Sequence, residues 1–561
     1  MKHRHLSTAS VWGRGLLSVG VLSLWWACTP SEPRNPSAQV TFVRGGIAVD
    51  GMLGQVEVKK EGERLSTRRL NLDGKRQLLL FDWEPGQPYQ LYLGGQEQTQ
   101  VAPQKPTPYR IRTVALEGDA VAASSAIPDV SLRFSTDGRR LAVGTLFGEL
   151  QVIDVLQGTT LLKKQVTEGM VKRVAFSPDG ETVYAGEQSP DGFLYALDVR
   201  TGAERWRRRL ADDLETSRPA AGDRYGIYFL PGVFELQVLQ DGRVVAAGTH
   251  SWNVDGVQKN RSRLYVLQPD GTPDFLYPAG GALDGNLVTF DVDPAGQRLV
   301  FAFSRSAQEP TRAREGIPVL SPGVYALDLV QKKPTWQKVF EPLTPHFKDV
   351  FIWEGLALSP DGARCLVGLG DGRVALLDAT VPGPTPSVLL EEAPGAPLEV
   401  GGVPITTPVS YAHASPLGLY AQTNNSNIPF GTEATSRTPP APHPAARTLF
   451  AWTPQGQEAW RFRGDFTPSG VFSSADGRWL MMTTANPSAE ERTDRNGLVL
   501  LDATPGLSAE QRLVFSYATE GPVFFHADVS ADGHWLAIAE TPARKKDGRT
   551  VYGQWQLHVV H

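Results

Sequence analysis

The sequence predicts an all-β fold: an eight-bladed β-propeller, with seven blades as the alternative, preceded by a small β-sandwich. Three observations predict it. An apolar strand, an Asp-Gly-type turn and a second apolar strand recur together eight times, at a period of 40 to 66 residues. Such periods mark solenoids, propellers and arrays. A further strand follows in each unit, often ending in Asp and a turn, and four-stranded units of this length build propeller blades. Finally, the last unit lacks an outer strand, while a spare strand stands just ahead of the first unit.

Composition sets the bounds. The chain has 561 residues, 41% hydrophobic and 20% charged, which is ordinary for a globular protein. Gly (56) and Pro (43) suit a fold with many tight turns. The formal net charge of −5 comes with no basic domain, which excludes nucleic acid as the expected partner. Only Cys28 and Cys365 occur, so no disulfide framework is expected in the folded part. Cys365 stands in the apolar run ARCLV and reads as a buried small hydrophobe.

Lys2, His3, Arg4 and Arg14 precede the apolar residues 15–27, GLLSVGVLSLWWA. That stretch is shorter than the ~20 residues a membrane span needs. Residues 1–27 therefore read as a signal peptide. Ala27-Cys28-Thr29 follows, and a small residue before Cys resembles the lipobox of bacterial lipoproteins. The resemblance implies that Cys28 takes diacylglycerol on its sulfur and becomes the mature N-terminus. The other reading is an ordinary cleaved signal with an incidental cysteine, because Trp25 and Trp26 stand where that family prefers Leu and a small residue. Residues 28–36 then form the lipidated Cys and a polar, Pro-rich tether. Several acyl chains on one Cys anchor stably, since each buried methylene adds about 0.8 kcal/mol. Thr29 is not Asp, and resemblance to the sorting rule of enteric bacteria points to the outer membrane. The expected location is the cell envelope, lipid-anchored.

Residues 37–108 read as the small sandwich. Residues 40–49 form one expected strand and 54–60 another; QLLLFDW at 77–83 is a buried strand, and YQLYL at 89–93 alternates after a Pro-Gly turn cluster. The segment FDWEPGQPYQLYL resembles fibronectin-III-like and transthyretin-like sandwiches. Its expected role is a spacer.

Residues 109–561 carry the repeats. They are LRFSTDGRRLAVG (132–144), VAFSPDGETVYAG (174–186), LQVLQDGRVVAAG (236–248), FDVDPAGQRLVFA (290–302), LALSPDGARCLVG (356–368), the degenerate AHASPLGLYAQ (412–422), VFSSADGRWLMM (471–482) and DVSADGHWLAIA (528–539). Their turn glycines, Gly138 to Gly533 with Gly418 in the degenerate copy, are expected to supply the φ > 0 of a tight hairpin. Third strands end at Asp154, Asp198, Asp328, Asp378 and Asp502. The phrase FSPDG resembles WD40, TolB and related propellers, and DGFLYALDVRTGAERW (191–206) resembles the repeat of pyrroloquinoline-quinone-type propellers. These motifs specify architecture and not function. The spare strand YRIRTVAL, 109–116, is expected to pair with the C-terminal strand and close the ring.

Lengthening is confined to one end of the blades. Long connections between second and third strands are expected at 249–263, 304–322, 423–447 and 484–496, and long blade-to-blade connections at 211–232 and 338–353. Loops this long tend to be functional. They present the candidate binding residues His250, Trp252, Asn253, Arg312, Arg314, Asn424, Asn425 and Asn427.

No Gly-x-Ser-x-Gly, His-Glu-x-x-His or P-loop pattern occurs. Gly368-Leu369-Gly370-Asp371-Gly372 reads as a hairpin, and Asp291 and Asp293 as turn residues. The histidines, His250, His346, His413, His443 and His526 among them, are scattered. Trp206, Trp336 and Trp460 read as packing between blades. The adjacent cysteines of quinone-dependent dehydrogenases are absent. No catalytic residue, metal ligand or cofactor is therefore expected. The leading functional expectation is a non-catalytic protein-interaction scaffold anchored in the envelope. In plan it resembles the propeller lipoprotein of the outer-membrane β-barrel assembly machinery, which implies only the role of envelope scaffold with a protein partner. The alternatives are a propeller enzyme (lactonase, hydrolase or oxidoreductase) and a glycan-binding module.

Overall fold

The computed structural model describes residues 39–43, 46–50, 56–73, 76–81, 83–93, 96–103, 111–116, 130–218, 229–254, 257–305, 315–341, 354–381, 383–396, 398–400, 403–423, 443–464, 466–485, 496–524, 527–544 and 551–561. The expected signal peptide, Cys28 and the tether lie outside the described residues, as do Arg312, Arg314, Asn424, Asn425, Asn427, His346 and His526. The chain divides into two compact units, with the boundary between residues 104 and 105.

The first unit is a two-sheet sandwich. Gln39–Val43, Gly46–Asp50, Arg76–Leu80 and Arg68–Asp73 form one sheet; Glu63–Arg64, Val56–Lys60, Pro88–Leu93 and Gln96–Val101 form the other. Alternation sorts their faces. Val56, Val58, Tyr89, Leu91 and Leu93 pack onto Phe42, Ile47, Val49 and Leu79 of the opposite sheet. The Tyr89 hydroxyl accepts the Glu84 amide at 2.8 Å and so holds the Pro-Gly turn. The expected single strand at 40–49 is two neighbouring strands, and Arg68–Asp73 is a strand the sequence reading missed.

In the second unit the described residues form eight four-stranded antiparallel sheets, two of them joined by the single pair Gln188↔Gly232. Their inner strands are Ser131–Phe134, Met170–Phe176, Gly232–Val238, Asn286–Val292, Leu356–Leu358, Val409–Ser415, Pro468–Ser473 and Ala527–Val529. They define blades 1 to 8. Each inner strand touches the next, and that of blade 8 touches that of blade 1. The sheets therefore close a propeller ring. Ile111–Ala115 is the outer strand of blade 8 and pairs antiparallel with Gln556–Val560, Ile111 opposite Val560. The first and last strands of the unit thus share one sheet, as the spare strand predicted.

The core lies between blades and not in one central mass. Each of eight apolar clusters sits between two neighbouring blades, for example Phe301 and Tyr325 of blade 4 against Val245 and Val266 of blade 3. Face-to-face sheet packing of this kind needs apolar side chains on both faces of each blade. That is why second strands such as Thr182–Gln188 are buried throughout.

Local chemistry explains the repeated phrase. In blade 2 the Ser177 hydroxyl donates to Asp179 and accepts the Thr182 amide at 2.9 Å, while Asp179 accepts the Glu181 amide at 3.0 Å. Gly180 sits at φ +70°, a conformation open to glycine. Gly418 differs from the expectation. It opens a strand, because the blade 6 turn is the two-residue Pro416-Leu417, with Ser415 paired to Gly418. The Asp that ends the third strand caps the next turn: Asp198 accepts the amides of Arg200 and Thr201 at 3.1 and 3.0 Å. Arginines after the hairpin turn tie neighbours together. Arg140 donates to Gly180 O, Arg243 to Gly296 O at 3.1 Å, and Arg298 to Gly362 O.

The three repeat tryptophans pack between blades as expected. Trp206 Nε1 donates to Pro269 O and Trp336 Nε1 to Ala379 O, each on the next blade, while the Arg512 guanidinium stacks 4.3 Å from the Trp460 ring. Trp336 is 3% exposed and belongs to the cluster between blades 4 and 5. Replacing it with Ala is expected to cost about 3–5 kcal/mol in denaturant unfolding, the usual range for a buried large aromatic. Trp206→Ala, at a half-exposed position, is expected to cost less.

Candidate functional site

Antiparallel strands alternate the two ends of a blade. One end carries tight turns, such as 135–139, 177–181 and 359–363. The other carries the connections at 210–231, 305–322, 393–408, 424–447, 485–495 and 541–555. The stretches 393–408 and 541–555 are additions to the expected set, and both contain short hairpins, Leu398–Val400 with Val403–Ile405 and Ala543–Arg544 with Val551–Tyr552.

At 249–263 the expected loop is a β-hairpin. Val244–Val254 pairs continuously with Val257–Leu267, from Val244↔Leu267 to Val254↔Val257. This brings His250, Trp252 and Asn253 onto one hairpin. His250 is 1% exposed, with Nδ1 2.8 Å from Leu214 O and Nε2 2.8 Å from Ser217 Oγ. Both ring nitrogens are engaged, and burial pushes its pKa down. His250 is therefore a strut beneath the surface, not an exposed binding group. Its ring stacks on Trp252 at 4.4 Å, and the Arg261 guanidinium lies 5.6 Å from the same indole. Arg263 fixes the hairpin base, pairing with Asp213 at 2.6 Å and donating to Pro278 O and Ala279 O. Trp252 is half-buried and Asn253 exposed.

The inner strands enclose a channel with a cavity of about 610 Å³. Hairpin register places its polar side chains in two layers. Arg133, Gln237, Asp291, His413 and Asp528 share one position, each one residue before the end of the paired segment or its equivalent. Arg173, Glu235, Thr289 and Tyr411 lie two residues earlier, joined by Glu354 just ahead of blade 5.

Much of the first layer joins blades. Asp528 accepts the Phe134 amide at 2.7 Å, and Asp291 accepts the Leu358 amide at 2.7 Å and Gln237 Nε2 at 3.2 Å. His413 Nε2 lies 2.8 Å from Ser473 Oγ. Burial pushes Asp291 up to about 6, raises Asp528, and pushes His413 down to about 4. In the other layer the Arg173 guanidinium lies between two carboxylates, 3.8 Å from Glu235 and 3.8 Å from Glu354. The Tyr411 hydroxyl is buried beside Glu354. Burial and the Glu354 charge push its phenol well above the usual value.

No protein-family model matches the chain. No curated protein matches it in sequence. Among solved structures, the chain is similar to the β-propeller domain of Cps50 (Swd1) of Myceliophteria thermophila, at 12% identity and a TM-score of 0.37, over 81% of this chain and 99% of that one.

The remaining sequence candidates separate into structural roles. Asp293 is a turn residue, accepting the Gln297 and Arg298 amides at 3.1 and 2.6 Å. Asp291 is not; it belongs to the channel strand, and the sequence reading missed its role. Residues 368–372 form the expected hairpin, with Gly372 at φ +91°. Cys365 is fully buried, which raises its thiol pKa. His443 is buried far along the chain from His413, with Nε2 2.9 Å from Ala396 O. Among the described residues no three His, Cys, Asp or Glu side chains converge as a metal site. The channel layers had a readable signal: the column of residues two places before the turn Ser, visible once the eight hairpins are stacked in register.

Asp291 and His413 have opposite pH effects in one window. The unfolded His413 takes up a proton near pH 6.5, before the folded one, so it loses stability as pH falls toward 4. The folded Asp291 takes up its proton near 6, before the unfolded one near 3.9, so it gains stability over that fall. His413→Gln is expected to flatten the loss of stability from about pH 6.5 to 4. Asp291→Asn is expected to steepen it. Urea midpoints across that range check both, and unchanged slopes would contradict the assignment.

Proposed function

We propose that the chain is a lipid-anchored lipoprotein of the bacterial cell envelope that serves as a non-catalytic scaffold. It binds a protein partner at the end of the propeller where the long connections gather. The observation that carries this reading is the extended hairpin Val244–Leu267 at that end. It is braced from below by His250 and Arg263 and carries Trp252 and exposed Asn253. A braced aromatic and amide surface suits protein contact, because few side-chain rotamers remain to be ordered on binding. The Trp252 ring already contacts His250 and Arg261, which favours a protein over a stacked sugar. Asp291, Asp528 and His413 are engaged in joining blades, which favours binding over catalysis.

Anchoring rests on Cys28 behind the apolar residues 15–27, and the outer membrane on Thr29. The test compares detergent-solubilised wild type with Cys28→Ala and with the double variant Trp252→Ala, Asn253→Ala. Cys28→Ala is expected to move from the detergent phase to the aqueous phase and to lose the lipid mass. The double variant is expected to keep its melting temperature within a few degrees and to lose the partner that copurifies with wild type. Cys28→Ala remaining in the detergent phase would overturn the anchor. A partner retained by the double variant would overturn the binding surface.

A further inference from the structure

We propose that the axial channel is a binding site for a linear organic dication, a diamine held lengthwise between its two charged layers. The first ground is charge. One layer holds Arg133, paired with Asp528, together with Asp291, and the other sets Arg173 against Glu235 and Glu354. Among the described lining residues each layer therefore has one arginine for two carboxylates, a surplus of one negative charge. A cavity lined by one excess sign and low-dielectric walls concentrates the opposite charge.

The second ground is spacing. The layers are two residues apart along the inner strands, as Glu235 and Gln237 or Thr289 and Asp291 show. Two residues of antiparallel strand advance roughly 7 Å. A diamine with a four-carbon spine spans a similar length, so one ammonium meets each layer. The third ground is the wall. Phe472, Ala175 and Ala357 line the channel and offer apolar contact to a methylene spine. The Tyr411 and Thr289 hydroxyls line the Glu235 layer and offer acceptors.

The geometry disfavours simpler occupants. No three carboxylate or imidazole groups among the described residues converge on one point, so a metal ion has no cage. A monoamine neutralises one layer and leaves the other. The cavity, about 610 Å³, falls within the usual range for small-molecule sites. Asp291 has no arginine at pairing distance among its hydrogen-bond partners, which are the Leu358 and Val292 amides and Gln237.

The experiment is calorimetric titration of the full chain with putrescine in low salt at about pH 7.5, where both ammonium groups of the diamine are charged. Butylamine and magnesium chloride serve at matched ionic strength. Putrescine is expected to bind at a single site, with butylamine and magnesium weaker by about tenfold or more. Glu235→Gln removes the surplus charge of its layer and is expected to weaken putrescine by about tenfold, with the melting temperature of the free protein kept. Glu354→Gln reads the same term should the first variant fail to fold. No putrescine heat above dilution, butylamine or magnesium binding as tightly, or undiminished affinity in the folded Gln variant would each overturn the proposal.

Discussion

The structure depends on how the inner strand of each blade satisfies its free edge. Such a strand forms its ladder with the second strand of its own blade, and among the described residues only Gly232 pairs across to the neighbouring blade. A buried amide left without an acceptor costs about 1–3 kcal/mol. Side chains of the neighbouring blade supply the acceptors: Asp528 for Phe134, Ser131 for Val174 and Asp291 for Leu358. Between blades 5 and 6 the backbone does it, with the Ala412 amide donating to Glu354 O. These bonds make separate sheets into a ring, and they also place carboxylates in the channel where burial raises their pKa values.

The rest follows from that ring. Because blades meet face to face, hydrophobic burial is divided among eight inter-blade clusters, each of which depends on its two neighbours. A ring so divided would open at its weakest joint if the two chain ends were separate. The strand Ile111–Ala115 prevents that by completing the last blade. At the tight-turn end, the turns also carry inter-blade bonds, such as Arg243 to Gly296 O, so their lengths are constrained. At the opposite end, connections can lengthen at low entropic cost.

Much of this was legible in the sequence. The hairpin phrase states its own chemistry, since Ser, Asp and Gly at fixed spacing bond one another locally. The closing strand was readable from counting strands, and the tryptophans from their fixed place on the outer strand. Other features depend on tertiary partners. Residues 249–263 looked like a loop because their polar content masks alternation; a facing strand of equal length turns them into a hairpin. His250 looked available, but only the fold brings Leu214 and Ser217 against both its nitrogens. Asp291 looked like a turn residue because Asp293, two places on, is one. The charge layers arise from residues of different blades, and no single repeat contains one.

The most direct test of the account is crosslinking of the native protein to its partner with an amine-reactive reagent, read by mass spectrometry. Lys259 stands on the extended hairpin, and Lys332 and Lys333 stand at the tight-turn end of blade 4. Recognition at the long-connection end predicts partner crosslinks at Lys259 and none at Lys332 or Lys333. Crosslinks confined to Lys332 and Lys333 would contradict it, placing the partner on the face the account assigns to structure alone.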